Sequence, residues 1–272
     1  MSRVEVLLAT MHRENTDFLE DMNIQSDIVI ANQADCFNFS ETKDNFDNRI
    51  RFITTAFRGV GKNRNLALDY SENELLLFAD DDMSYYNGYA QEISKAFDKI
   101  KDADILIFNI DQTGRETIIK NGSVKRVGIF NFSRYGTFRI AIRKNSLVRA
   151  NLSFSLMFGG GTDFGSGEDS LFLREALRKK LKIYTYPYTI AKVDQTNSSW
   201  FSGYSSEAFY YDKGCLISYL FPVFGFLFKY YFAYKFAKQS SFSFIKCVNL
   251  MRKGMKYGKK GISYKLYQAY NK

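Results

Sequence analysis

The sequence predicts an α/β fold: a mixed, mostly parallel sheet flanked by helices, followed by a helical, basic and aromatic C-terminal extension. Two observations carry this. Short apolar runs alternate with amphipathic segments through the first two-thirds of the chain, the pattern of a parallel sheet covered on both faces. Beyond residue 212 the alternation stops, and residues 213–272 hold twelve Lys or Arg and no Asp or Glu. The chain has 272 residues, 46% hydrophobic and 17% aromatic, enough for one large domain with an appendage.

Residues 4–10 (VEVLLAT), 27–31 (DIVIA), 50–56 (IRFITTA), 75–79 (LLLFA) and 104–110 (DILIFNI) read as strands, being short, apolar and rich in β-branched residues. Residues 15–22, 63–70 and 89–100 (YAQEISKAFDKI) read as helices from their apolar spacing. Residues 127–144 read as a pair of strands. A glycine-rich loop follows, FGGGTDFGSGEDS, then a helix opening at Asp169 or Ser170, then a strand over 182–193. A boundary near 212 separates domain 1–212 from extension 213–272.

Charge divides at the same place. The net charge is +9, but the extension alone carries +12, leaving the first 212 residues at −3. A basic tail on a mildly acidic body argues against nucleic acid as the partner of the whole protein. Three scattered cysteines, Cys36, Cys215 and Cys247, suit a reducing, cytoplasmic compartment better than a disulfide framework. The first residues, MSRVEVLLATMHRE, read as a strand and not as a secretory signal. Oligomeric state is left open.

The stretch with the clearest chemistry is ELLLFADDDMSYY, where an apolar strand runs into Asp80, Asp81 and Asp82. Two unit charges about 4 Å apart repel by roughly 4 kcal/mol at an effective dielectric of about 20. One acid capping the next helix is the plain explanation; a divalent-cation site is the functional one. A hard ion such as Mg²⁺ or Mn²⁺ takes one or two carboxylates plus substrate phosphates. An Asp-x-Asp pair at a strand end presents Asp80 and Asp82 to one side, with Asp81 turned elsewhere. Upstream, FRGVGKNRNLAL places Gly59 and Gly61 before a helix, with Lys62 and Arg64 in its first turn, where an anion is favoured. Downstream, in GSGEDSLFL, Asp169 is a helix cap or a general base for a hydroxyl, beside Glu168.

Taken in order, VEVLLAT, GKNRNLAL, LLLFADDD and GEDSLF resemble glycosyltransferase family 2, the inverting nucleotide-sugar transferases of GT-A (Rossmann-like) fold. The resemblance spans roughly residues 4–175. It implies that Asp80 and Asp82 hold a metal ion, Mn²⁺ or Mg²⁺, and, with Asp81, the diphosphate and ribose of the donor. It implies Asp169 as the base that deprotonates the acceptor, with Glu168 binding acceptor or orienting the loop. Thr10 would line the nucleotide pocket, and Arg64 with Lys62 would touch base or phosphates. Most members end the second strand with an Asp-Asp pair near the nucleobase; here Asn32 and Gln33 stand there, or Asp35 substitutes from slightly later. The Q-x-x-R-W element of processive synthases is absent, Gln195 and Trp200 being wrongly spaced, which favours single-sugar transfer over chain synthesis. The expected donor is a UDP-sugar. The expected acceptor is a glycan or lipid-linked oligosaccharide in surface polysaccharide synthesis.

His12, the sole histidine, cannot by itself build a multi-histidine metal site; a structural place and substrate contact both stay open. Trp200 is equally an aromatic wall for a sugar or ordinary packing. GCLISYLFPVFGFLF, residues 214–228, is uncharged but too short to span a bilayer and is interrupted by Pro222. With the basic aromatic segments after it, it reads as a surface that associates peripherally with the inner face of the membrane, or else as a core helix. Two rivals remain: a D-x-D-x-S phosphohydrolase with Asp80 as nucleophile, and a non-catalytic binding protein on a degenerate transferase fold.

Overall fold

The computed structural model describes residues 3–112, 118–119, 122–193, 206–238 and 240–270. The strands are β1 (Val4–Met11), β2 (Asp27–Gln33), β3 (Asn38–Lys43), β4 (Arg49–Thr55), β5 (Leu75–Asp80), β6 (Met83–Tyr85), β7 (Ile105–Gln112), β8 (Lys125–Arg126), β9 (Ile140–Arg143) and β10 (Ile183–Val193). The helices are α1 (Phe18–Met22), α2 (Val60–Asp69), α3 (Tyr89–Lys99), α4 (Lys144–Ala150), α5 (Glu168–Arg178), α6 (Glu207–Leu220), α7 (Gly225–Ala237), α8 (Phe244–Tyr257) and α9 (Tyr264–Tyr270). One sheet runs β3-β4-β2-β1-β5-β9-β7-β10-β6, with β8 on β10.

β4, β2, β1 and β5 are mutually parallel, as are β7 and β10. Alternate residues face opposite ways, so each strand feeds two cores. Leu7, Val29, Leu76 and Phe78 pack under α2 and α5, while Val6, Leu8, Ile28 and Leu77 pack under α3. The α/β expectation is met, and register decides where the strands end together. Thr10 pairs with Asn32, Ala9 with Asp80, and Gln33 with Thr55, which brings the carboxyl ends of β1, β2, β4 and β5 to one edge. That edge is where ligands bind in sheets of this kind.

Some expectations change. Residues 127–144 do not form a strand pair. Two short 3-10 turns, Phe132–Arg134 and Thr137–Arg139, flank Gly136, and only β9 is a strand. β9 lies antiparallel between β5 and β7, so the sheet is mixed at its centre. The helix expected over 15–22 is limited to α1, because Asn15 Oδ1 accepts from the backbone N–H of Asp17 and offers the chain a local turn instead. Residue 212 falls inside α6. Of the uncharged run, the α6 part (Gly214, Cys215, Leu216, Ile217) is buried, whereas residues 223–227 are largely exposed. Among the described residues no helix is long and apolar enough to cross a membrane.

The C-terminal helices are attached through glycines. A Cβ on Gly254 would lie 1.8 Å from the Tyr211 carbonyl oxygen, and one on Gly214 would lie 2.0 Å from that of Met251, so α6 and α8 cross in backbone contact. Tyr211, Cys215, Leu216 and Leu220 of α6 belong to the same apolar cluster as Phe78 and Phe172.

Candidate active site

Arg64 is the centre of the carboxyl-end edge. α2 carries it inward, and it is buried. Its Nη2 donates to Asp80 Oδ1 at 3.0 Å; its Nη1 donates to Asp169 Oδ1 at 3.0 Å and to Glu168 Oε1 at 3.3 Å. Three acids from two distant segments thus share one guanidinium, a fork suited to carboxylates. Beneath it, the rings of Phe154 and Phe172 stack at 4.2 Å, with Phe78 edge-on to both, and the guanidinium carbon lies 5.4 Å over Phe154. Each such aromatic pair contributes about 1 kcal/mol beyond its buried area.

Electrostatics follow from this geometry. Burial alone would lower the Arg64 pKa, but Asp80, Asp169 and Glu168 outweigh it and hold it above the ordinary value. Burial pushes the Asp80 carboxyl up, Arg64 pulls it back and Asp169 raises it again, with a net rise. Glu168 is raised by burial and by Asp169 against the pull of Arg64. The Thr137 hydroxyl donates to Asp169 Oδ1, which further fixes that carboxylate.

Asp81 faces the other way. It accepts from Thr10 Oγ1 at 2.6 Å and from Arg13 Nη2 at 3.1 Å. Asp82 lies between, on the lining of two clefts. The larger, about 750 Å³, is bounded by Arg13, Phe18, Asp81, Asp82, Tyr86 and Lys192. The smaller, about 430 Å³, holds Arg64, Asp80, Asp82, Glu168, Asp169 and Lys213. Thr10, Arg64, Asp80, Asp81, Asp82, Glu168 and Asp169 are therefore brought together, from β1, α2, the end of β5 and α5.

Three other sequence candidates stand apart. Gln33 is buried, and its Oε1 accepts from the Gly59 N–H at 2.8 Å. Asp35 is exposed and paired with Arg58. Lys62 is exposed and lines neither cleft. The helix begins at Val60, earlier than expected, so Gly59 caps it and Gly61 lies within its first turn, where it serves packing: a Cβ on Gly61 would lie 2.2 Å from the Ser155 carbonyl oxygen, and the Val60 N–H donates to Gly160 O at 2.9 Å. The start of α2 is thus capped by the protein itself. Asn65, beside Arg64, both donates to and accepts from the Phe154 backbone at 3.0 and 2.7 Å. Asn32 Oδ1 accepts from the Arg13 N–H at 3.0 Å and its Nδ2 donates to the Arg13 carbonyl at 2.8 Å, holding the loop after β1. His12 is exposed, with φ at 56°. Gln195, Trp200 and much of the loop 113–127 lie outside the described residues.

Arg13, Thr137 and Lys213 were not among the sequence candidates. Arg13 carried a signal, a cation three residues past the end of the first apolar strand; Thr137 and Lys213 reach the site only through the fold. For a cation, the donor chemistry at Asp80 and Asp82 fits: both offer hard carboxylate oxygens at the clefts, and the Asp80 side chain is 36% exposed. Among the described residues no group of three or more His, Cys, Asp or Glu is placed to hold an ion by itself. Further oxygens would come from substrate phosphate and water.

The fold has counterparts. The model of glycosyl transferase family 2 matches residues 35–181. No curated protein sequence matches the chain. Among solved structures, the 1–349 fragment of S. aureus TarS in complex with UDP-GlcNAc is similar with a TM-score of 0.57 at 18% identity, over 80% of this chain and 66% of that one. The same fragment with UDP gives 0.56 at 17% identity, over 80% and 65%. Longer TarS gives 0.55 at 16%, over 79% of this chain and 38% of that one. The chain thus spans two thirds or less of the length of these TarS structures, and the likeness is one of GT-A fold. The family match covers more than half of the chain, and the chain belongs to glycosyl transferase family 2.

Proposed function

We propose that this protein is an inverting glycosyltransferase that moves a single sugar from a UDP-sugar to a hydroxyl of a glycan acceptor, lipid-linked and destined for a surface polysaccharide. The observation that carries the reading is Arg64 held among Asp80, Glu168 and Asp169, with Asp82 at the junction of two clefts. Family membership and the UDP and UDP-GlcNAc of the TarS structures support the nucleotide-sugar donor.

In this reading the larger cleft takes the nucleotide diphosphate and the smaller one the acceptor. Asp80 and Asp82 would hold Mn²⁺ or Mg²⁺, with Asp81 held by Thr10 and Arg13 at the nucleotide side. When bound, the ion supplies positive charge against the departing diphosphate. Asp169 takes the proton from the acceptor hydroxyl as that oxygen attacks the anomeric carbon from the face opposite the diphosphate. One displacement therefore inverts the centre. Thr137 and Arg64 fix the Asp169 carboxylate in place, and Glu168 shares the same guanidinium.

Membrane association is supported by α7 and its lead-in. Val223, Phe224, Phe226, Leu227, Tyr230 and Tyr231 are exposed, with Lys229, Lys235 and Lys238 among them. Aromatics favour the bilayer interface, and each lysine near an anionic leaflet contributes about 1 kcal/mol.

Asp169→Asn tests the base. With UDP-sugars and Mn²⁺, transfer should fall by about a thousandfold or more while UDP still binds. Full transfer by this variant would remove the assignment.

A further inference from the structure

The cleft that holds Asp169 also contains three cations that the catalytic assignment does not use. Arg139 is buried and donates to the Phe108 carbonyl; the other two are Lys213, from α6, and the exposed Arg134, from the turn Phe132–Arg134. Neither has an ion-pair partner among the described residues. Lys213 donates one hydrogen bond, to the neutral Ser166 Oγ at 3.0 Å, and its Nζ lies 5.3 Å from the Phe209 ring centre. Three of the four acids of the same cleft, Asp80, Glu168 and Asp169, are engaged together by Arg64.

The placement of Lys213 is built into the fold. Gly214, the next residue, is in backbone contact with Met251 of α8, and Leu216 packs so closely on Gly167 that a Cβ there would lie 2.6 Å from both of its methyl carbons. This lysine is held beside the loop that leads into Glu168 and Asp169. Burial lowers its pKa, with Glu168 and Asp212 acting in the opposite sense. A half-buried ammonium on the wall of a cleft, with donors to spare and no carboxylate in contact, is a ready partner for an incoming anion.

We propose that the acceptor is anionic: a glycan or polyol bearing a phosphate or carboxylate next to the hydroxyl that is glycosylated, with Lys213 and Arg134 binding that group. This rests on the assignment of the smaller cleft to the acceptor. Its consequence is that the C-terminal helices help select the acceptor, because α6 supplies the lysine and α8 holds α6 in place.

The test uses the full chain saturated with UDP and Mn²⁺, titrated calorimetrically with glycerol 3-phosphate and, separately, with glycerol. The phosphate should bind and glycerol should not. Lys213→Gln and Arg134→Gln should each weaken phosphate binding about tenfold, the loss of one charge-assisted hydrogen bond, and Lys213→Arg should restore most of it. Phosphate binding that is indifferent to both Gln variants, or that vanishes when UDP is present, would overturn the proposal. So would UDP-glucuronate binding more tightly than UDP-glucose in a Lys213-dependent way, since the anion would then belong to the donor sugar. Failure of the wild type to bind UDP removes the donor reading itself. Failure of glycerol 3-phosphate to bind the UDP-loaded protein removes the anionic acceptor alone.

Discussion

Arg64 shows how much of a site can rest on one side chain. Without it, Asp80, Glu168 and Asp169 would face one another in a cleft where burial already raises the first two. Arg64 was legible in the sequence as a contact to base or phosphates; its observed work is to hold carboxylates, while its neighbour Asn65 holds the Phe154 backbone. Thr137 escaped sequence reading because its partner, Asp169, is 32 positions away and only β9 and its preceding turn bring it in. Asp212, next to Lys213, supplies a pH prediction. Its Oδ1 is buried without a hydrogen-bond partner, its Oδ2 accepts from the Gly165 N–H at 3.3 Å, and burial raises its pKa to about 6. The folded state therefore keeps a proton that the unfolded chain releases near 3.8. Stability falls as pH rises from the unfolded value toward about 6, then levels off. Asp212→Asn should remove that fall, gaining about 2 kcal/mol on the wild type between pH 4 and pH 7.5 in urea denaturation. Parallel curves for the two proteins would contradict the burial of this charge.

Elements were read unevenly, for physical reasons. β1, β2, β5 and β7 are buried on both faces and so appear as continuous apolar runs. β3 is an exposed edge strand, NFSETK, with no apolar run to betray it, and β6 has three residues. Of the strand pair read over 127–144 only β9 forms, and its place between β5 and β7 was hidden because it depends on pairing with Leu75–Leu77 and Ile105–Ile107, not on its own four residues. The α6–α8 crossing is specified by glycine. Gly254→Ala drives a methyl into the Tyr211 carbonyl, and the two helices must part. A loss of about 2 kcal/mol or more is expected by denaturation, since overpacking against backbone leaves no side chain to yield. A neutral result would mean the helices are not in contact. α7 is different: its exposed aromatics contribute little to the core. Phe226→Glu with Tyr230→Glu, at positions 54% and 48% exposed, should leave the melting temperature unchanged and abolish co-sedimentation with phosphatidylglycerol vesicles. Undiminished sedimentation would move the membrane contact elsewhere.

At the scale of the whole molecule, the charge division visible in the sequence, −3 over residues 1–212 and +12 over 213–272, is not a division into independent parts. α6 shares its apolar cluster with the strands and lines the smaller cleft through Lys213 and Leu216, so the basic extension is also one wall of the site. That joining was not legible, because it depends on backbone contacts between α6 and α8 and on Leu216 meeting Gly167. The order of the motifs was legible, because each sits where a strand or loop delivers it to the same edge of the sheet. The proposed function turns on a diphosphate held by a cation at the end of β5. Calorimetric titration of UDP into wild type and Asp82→Asn, each with and without Mn²⁺, tests this most directly. Affinity should fall by about thirtyfold or more when either the ion or the carboxylate is removed, with no further loss when both are. Equal affinity in all four titrations would contradict it.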